Sequence, residues 1–162
     1  MKIALTGHRE QRLGLPKDVS SLEWTGIREW IRKEILSYIR PTQTVVIITG
    51  MASGSDMAFG YVASQLKDEG YNISILCAEP CKNYNNSDPW AKFVEEHADE
   101  FWYAGDEYKR GADDLRDDFM AQECDIMLAI FDGKKNGGVW STLGKAAAYG
   151  KSIACCPLNL YK

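Results

Sequence analysis

The chain has 162 residues, 45% of them hydrophobic, 26% charged and 11% aromatic, with 14 Gly and 5 Pro. These figures suit one folded domain over 1–162 and exclude disordered, collagen-like and heptad-repeat chains. A net charge of −4, from 19 Lys and Arg against 23 Asp and Glu, disfavours broad attraction of polyanions but leaves room for one small anion held by a local cluster of donors.

Lys2 to Leu5 is a short β-like run ending at Thr6-Gly7-His8-Arg9. No secretory h-region follows Lys2, and the five cysteines (Cys77, Cys81, Cys124, Cys155 and Cys156) are odd in number, so a reducing cytoplasm is the expected location. A Cys-x3-Cys pair, an adjacent pair and two distant histidines, His8 and His97, do not make a structural zinc set, and neither a metal nor another cofactor is expected. No apolar run approaches the roughly 20 residues that cross a bilayer, so no membrane partner is expected.

The pattern Ser20-x-x-Glu23 predicts a capping box, followed by a helix with Trp24, Ile27, Ile31, Ile35 and Tyr38 on one face and a stop at Pro41. Thr44 to Ile48, nearly all β-branched, predicts a strand buried on both faces that delivers the chain into Gly50-Met51-Ala52-Ser53-Gly54-Ser55-Asp56. A second helix is expected to about Glu69, closed by Gly70 as a left-handed cap, and a third strand over Ile73 to Cys77. Asp88-Pro89 predicts a helix start that presents Trp90, Phe93 and Val94 to the core.

Phe101 to Tyr103 reads as a short strand, and Asp113 to Glu123 as a helix with Leu115 and Phe119 inward. Asp125 to Phe131 is the clearest strand. A helix from about Trp140 to Tyr149 and a last strand, Ser152 to Cys156, complete the chain. Such alternation predicts an α/β Rossmann-like fold, a mostly parallel sheet of five or six strands with helices on both faces and right-handed crossovers.

In such a sheet ligands bind beyond the carboxyl ends of the strands. Three loops there carry the candidate residues. The Gly50, Ala52, Ser53, Gly54, Ser55, Asp56 loop offers glycines, hydroxyls and free amides at a helix start, which favours phosphate; a plain Ser53-x-x-Asp56 capping box is the alternative. It matches neither a Walker A loop nor G-x-G-x-x-G. Asn136-Gly137-Gly138-Val139-Trp140-Ser141-Thr142 repeats the glycine and hydroxyl pattern, while Gly7, His8 and Arg9 bring an anion clamp and a neutral-pH proton carrier, or form a surface turn.

Taken in order, Thr6-Gly7-His8-Arg9, Gly50-x-Ala52-x-Gly54-x-Asp56, Leu115-Arg116 with Met120 and Cys124-Asp125, and Gly137-Gly138 with Thr142 resemble the SLOG superfamily. That superfamily gathers DprA/Smf proteins, LOG phosphoribohydrolases and YpsA-type proteins; the opening Gly-His-Arg is similar to the YpsA-like branch, including its phage-encoded members. The resemblance implies a nucleotide pocket in which Gly137, Gly138 and the following hydroxyls hold phosphate. Arg116 falls where LOG enzymes carry an active-site arginine, or else pairs on the helix surface with Asp113 or Asp117. Where those enzymes read Gly-Gly-x-Gly-Thr-x-x-Glu, this chain places Gly144 or Lys145 at the glutamate, which removes their carboxylate.

Three functions follow. The first is binding of a nucleotide or nucleotide-derived small molecule by a sensor, carrier or sequestering protein, with Asp132 and Trp140 joining the loops above. The second is an N-glycosidase acting on a nucleoside 5′-monophosphate or NAD-like compound, with Asp56 and Arg116 catalytic and Glu79 a further carboxylate near a strand end. The third, least favoured by the acidic balance, is DprA-like handling of single-stranded DNA. The resemblance also implies a homo-oligomer, with Trp24 or Trp30 turned outward as the contact patch.

Overall fold

The computed structural model describes residues 1–161; Lys162, the last residue of the expected domain, lies outside them. The strands are β1 (Lys2–Gly7), β2 (Val45–Thr49), β3 (Ile73–Glu79), β4 (Glu100–Tyr103), β5 (Ile126–Ile130) and β6 (Ser152–Cys155). Helices α1 (Glu10–Leu13), α2 (Thr25–Ser37), α3 (Ser55–Asp68), α4 (Ala91–His97), α5 (Ala112–Glu123) and α6 (Gly137–Ala148) alternate with them. All pairings are parallel, in the order β4-β3-β2-β1-β5-β6, so the α/β Rossmann-like fold expected from the sequence is the fold of the chain.

Two apolar layers hold the sheet. On one face Trp24, Ile27, Ile31 and Ile35 of the α2 region join Met57, Phe59 and Leu66 of α3 against Ile3, Leu5, Ile47 and Ile75. On the other, Met120 and Ala121 of α5 and Val139, Leu143 and Ala146 of α6 cover Ala4, Ile48 and Met127. Each fully buried aliphatic side chain here contributes roughly 1.5–3 kcal/mol, which is why the β-branched runs become central strands. The chain moves outward from β1 through β4, then returns to place β5 on the other side of β1. The strand order therefore reverses between β1 and β5, the position where a doubly wound sheet opens a crevice.

Several local expectations need correction. The Ser20-x-x-Glu23 box does not form: the Ser20 hydroxyl donates to Asp18 Oδ1 (2.7 Å), and a 3-10 turn over Leu22–Trp24 leads into α2. Asp88 accepts the Trp90 N–H (2.9 Å), but the helix begins only at Ala91. Leu115 points outward, 58% exposed, because the inward stripe of α5 is Ala112, Arg116 and Met120. A buried arginine took the place that hydrophobicity had assigned to leucine. Trp24 and Trp30 are buried, Trp24 donating from Nε1 to Pro16 O (2.7 Å), and supply no contact patch. Among the described residues no helix is long and apolar enough to cross a membrane.

Candidate functional site

The end of β1 and the start of α3 are interlocked. Gly7 lies so close to Ser55 that a Cβ on it would sit 2.4 Å from Ser55 Cβ; Gly54, at φ +83°, has its missing Cβ 2.6 Å from the Glu10 nitrogen. Only glycine allows both that backbone conformation and that approach. The Ser55 N–H (3.3 Å) and hydroxyl (2.7 Å) donate to His8 O. No side chain caps α3, so Ser53 and Asp56 do not form the alternative capping box. The Gly54 turn thus fixes the loop after β1 on top of α3 and aims His8 and Arg9 into the crevice.

The crevice is a cavity of about 420 Å³, within the usual range for small-molecule sites. Of the residues singled out from the sequence, Gly7, His8, Arg9, Ala52, Asp56, Arg116 and Gly138 line it. Gly50 stands behind them, its carbonyl accepting Arg116 Nη1 (2.7 Å). Ser53, Gly54 and Ser55 belong to the interlock rather than the lining. Asp132 lies beside the lining, bound to Arg12. Gly137, at φ +83°, turns the chain into α6, its missing Cβ 3.0 Å from Arg12 Nη1. Trp140, Ser141 and Thr142 stay off the cavity wall. Trp140 is 42% exposed and stacks on Phe131 with ring centroids 5.9 Å apart, and the Thr142 hydroxyl donates back to Gly138 O (2.8 Å).

Glu79 ends β3 almost wholly buried, with Oε1 unpartnered, and is not part of the lining. Burial, reinforced by Glu95, raises its carboxyl to about 7.

Thr6, Val139, Gln11, Arg12, Asp113 and Asp117 complete the lining; Gln11 and Arg12 escaped the sequence reading, and Asp113 and Asp117 entered it only as partners for Arg116. Arg12 belongs to a four-residue helix with no amphipathic signal, and its partner is 120 positions away: Nε and Nη2 form a fork on Asp132 at 2.7 and 3.0 Å. This fork, above all, holds the Asp132 carboxyl well below the usual range. Burial pushes His8 below its ordinary value despite Asp132. Its Nε2 is 3.2 Å from Asp132 Oδ1 without meeting hydrogen-bond geometry.

Arg116 combines the two readings made of it. It pairs with Asp117 (Nε, 2.7 Å) and Asp113 (Nη2, 3.4 Å), yet it is buried rather than on the helix surface. Burial alone would weaken its charge, but Asp117 and Asp56 outweigh that and hold it cationic. Asp56, buried in the cavity wall, receives only a long hydrogen bond from Ala52 N–H (3.4 Å). Desolvation raises its carboxyl to about 6 against the pull of Arg116. Arg9 differs from both other arginines: it makes no ion pair among the described residues, and its guanidinium donates from Nη2 to Tyr84 Oη (3.0 Å).

No side chain caps α6 at Asn136, so the first-turn N–H groups, including those of Gly138 and Val139 in the cavity wall, stay available for an acceptor. Among the described residues no three His, Cys, Asp or Glu side chains are placed to share a metal ion, and all five cysteines are free thiols.

The sequence pattern of the YspA SLOG family matches residues 3–155. The chain belongs to this family. A YspA SLOG assignment accounts for the motif order from Gly7 to Thr142 and bears out the resemblance drawn from it. The chain is 29% identical over 145 residues to UPF0398 protein lwe1908 of Listeria welshimeri, covering 83% of this chain and 77% of that one. It also superposes with a TM-score of 0.63 on DNA processing protein A from Helicobacter pylori, a protein described for its single-stranded DNA binding mode. Identity there is 17%, the alignment takes in 96% of this chain, and the chain spans 64% of the length of that structure, so the likeness is one of fold. At the position of the LOG glutamate this YspA SLOG chain has an exposed Gly144 and then Lys145, whose ammonium is bound to Asp114.

Proposed function

We propose that the crevice binds a nucleotide or nucleotide-derived small molecule by its phosphate. The observation that carries this reading is the convergence of an unneutralised guanidinium, Arg9, and the uncapped start of α6 on one cavity. Arg12 and Arg116 already have carboxylate partners, so they shape the wall and Arg9 supplies the net charge. Asp113 and Asp117, also in the cavity wall, suit hydroxyl donors such as those of a sugar. Calorimetry against mononucleotides, NAD, ADP-ribose and cyclic nucleotides tests the reading. Saturable binding weakened by Arg9→Gln supports it, and silence across the panel refutes it.

Asp56 favours a second reading. A carboxyl that keeps its proton to about pH 6 beside the anion site can serve as the acid for a departing base, in place of the missing glutamate. Release of free base, lost in Asp56→Asn, would establish an N-glycosidase. The fold likeness to DNA processing protein A, with Lys134 and Lys135 just before α6 and the exposed Trp140 in its first turn, motivates a third. Anisotropy titration of a labelled oligothymidylate at low salt tests it, since phosphate-driven binding is strongest there.

A further inference from the structure

Tyr84 touches both arginines that matter most, and it does so with two different parts of its side chain. Its hydroxyl accepts Arg9 Nη2 at 3.0 Å, and its ring lies under Arg116, with the guanidinium carbon 5.9 Å from the ring centroid. The residue sits in the 80–90 segment between β3 and α4, away from every glycine-rich motif.

That segment is held in place by its own chemistry. Asn83 and Asn85, on either side of Tyr84, take φ values of +60° and +53°, which asparagine tolerates better than most residues. Asn85 Nδ2 donates to Met51 O (3.0 Å), tying the segment to the loop after β2, and Asp88 N–H donates to Asn85 O (3.1 Å). Tyr84 is half-buried: it packs against the edge of the core while its hydroxyl reaches Arg9.

We propose that Tyr84 is a positioning residue of the anion site, presetting Arg9 by hydrogen bonding and Arg116 by cation–π contact; this rests on the nucleotide reading above. An exposed arginine loses rotamer freedom when fixed, so an anchor present before the ligand arrives removes part of the ordering cost of binding. Arg116 has its donors committed to Gly50 O, Asp117 and Asp113, and the aromatic face takes the side of the guanidinium that hydrogen bonds leave open.

The test is calorimetry with ADP on the full chain, combined with nitrogen–proton spectra of the arginine side chains. Tyr84→Phe keeps the ring and removes the acceptor, and is expected to weaken ADP roughly three- to tenfold, the usual net contribution of one ordinary hydrogen bond, because the hydroxyl acts on the ligand only through Arg9. The loss should vanish when Arg9 is already Gln, because the hydroxyl acts through that residue. Undiminished affinity in Tyr84→Phe, or a loss that simply adds to that of Arg9→Gln, overturns the proposal.

The spectra need no ligand. The Arg116 Nε–H resonance should move in Tyr84→Leu, which loses the ring current, and stay in Tyr84→Phe; no movement in Tyr84→Leu overturns the positioning role even if ADP binds. Wild-type protein that ignores ADP and every other nucleotide instead overturns the reading on which the proposal rests, and leaves Tyr84 nothing to position for.

Discussion

At the scale of single residues, Asp56 carries a strong pH dependence inside the cavity. Folded, it holds its proton to about pH 6; its ordinary value is 3.8, so between those points the folded chain binds the extra proton. Its contribution to stability is complete below pH 3.8 and is lost as pH rises through about 6. The loss is on the order of 3 kcal/mol. Asp56→Asn, which cannot ionise, should therefore gain stability relative to wild type across that window in urea titrations at stepped pH. A parallel course for the two proteins would refute the assignment.

Arg116 predicts the opposite kind of damage. Replacing it with Met leaves Asp117 and Asp56 without their cation in a buried setting, and the expected cost is about 3–5 kcal/mol. Thermal unfolding would show it as a large fall in midpoint, while Asp106→Asn, at a carboxylate 84% exposed, should change little.

Which of these residues the sequence revealed depends on how their partners are arranged. Arg9 and Asp56 stand inside compact motifs next to strand ends, and position alone exposed them. Arg12 and Tyr84 owe their importance to Asp132, Arg9 and Arg116, all remote in the chain, and nothing local marks them.

Among the elements, strands were the most legible, because runs such as Val45–Thr49 combine β-branching with burial on both faces and have no other stable setting. Helix starts were less so. The side chains that suit a cap, Ser20 and Ser53, were drawn to other partners or left uncommitted, and α3 is held instead by the Gly7–Gly54–Ser55 interlock. The loop that looked like a phosphate cradle thus spends its glycines on close packing, while α6 keeps its first turn open. Gly137→Ala tests the latter. A left-handed alanine there costs about 1–2 kcal/mol and crowds Arg12, so both unfolding free energy and nucleotide affinity should fall. Gly144→Ala, at an open position with no crowding, should lower neither.

For the whole molecule, the strand order β4-β3-β2-β1-β5-β6 decides where chemistry is possible. The reversal at β1 and β5 gathers the loop after β1, the loop after β2 and the starts of α5 and α6 around one cavity, although these segments are scattered from Thr6 to Val139. Alternation of strands and helices was enough to foresee the fold and its open end. It gave no view of how the charges balance there, because that depends on which arginines find carboxylates in three dimensions. Two of the three in the cavity do, and the site is left with one free cation, Arg9, among the described residues.

A net charge of −4 and, among the described residues of the cavity, a single free guanidinium suit one phosphate group better than a long polyanion. The most direct test is calorimetry of the intact chain against the nucleotide panel, repeated with Arg9→Gln. Saturable binding of a mononucleotide or dinucleotide, weakened roughly tenfold or more by Arg9→Gln, is the predicted result for loss of a charge-assisted contact. Absence of binding across the panel, or binding that Arg9→Gln leaves intact, would contradict it.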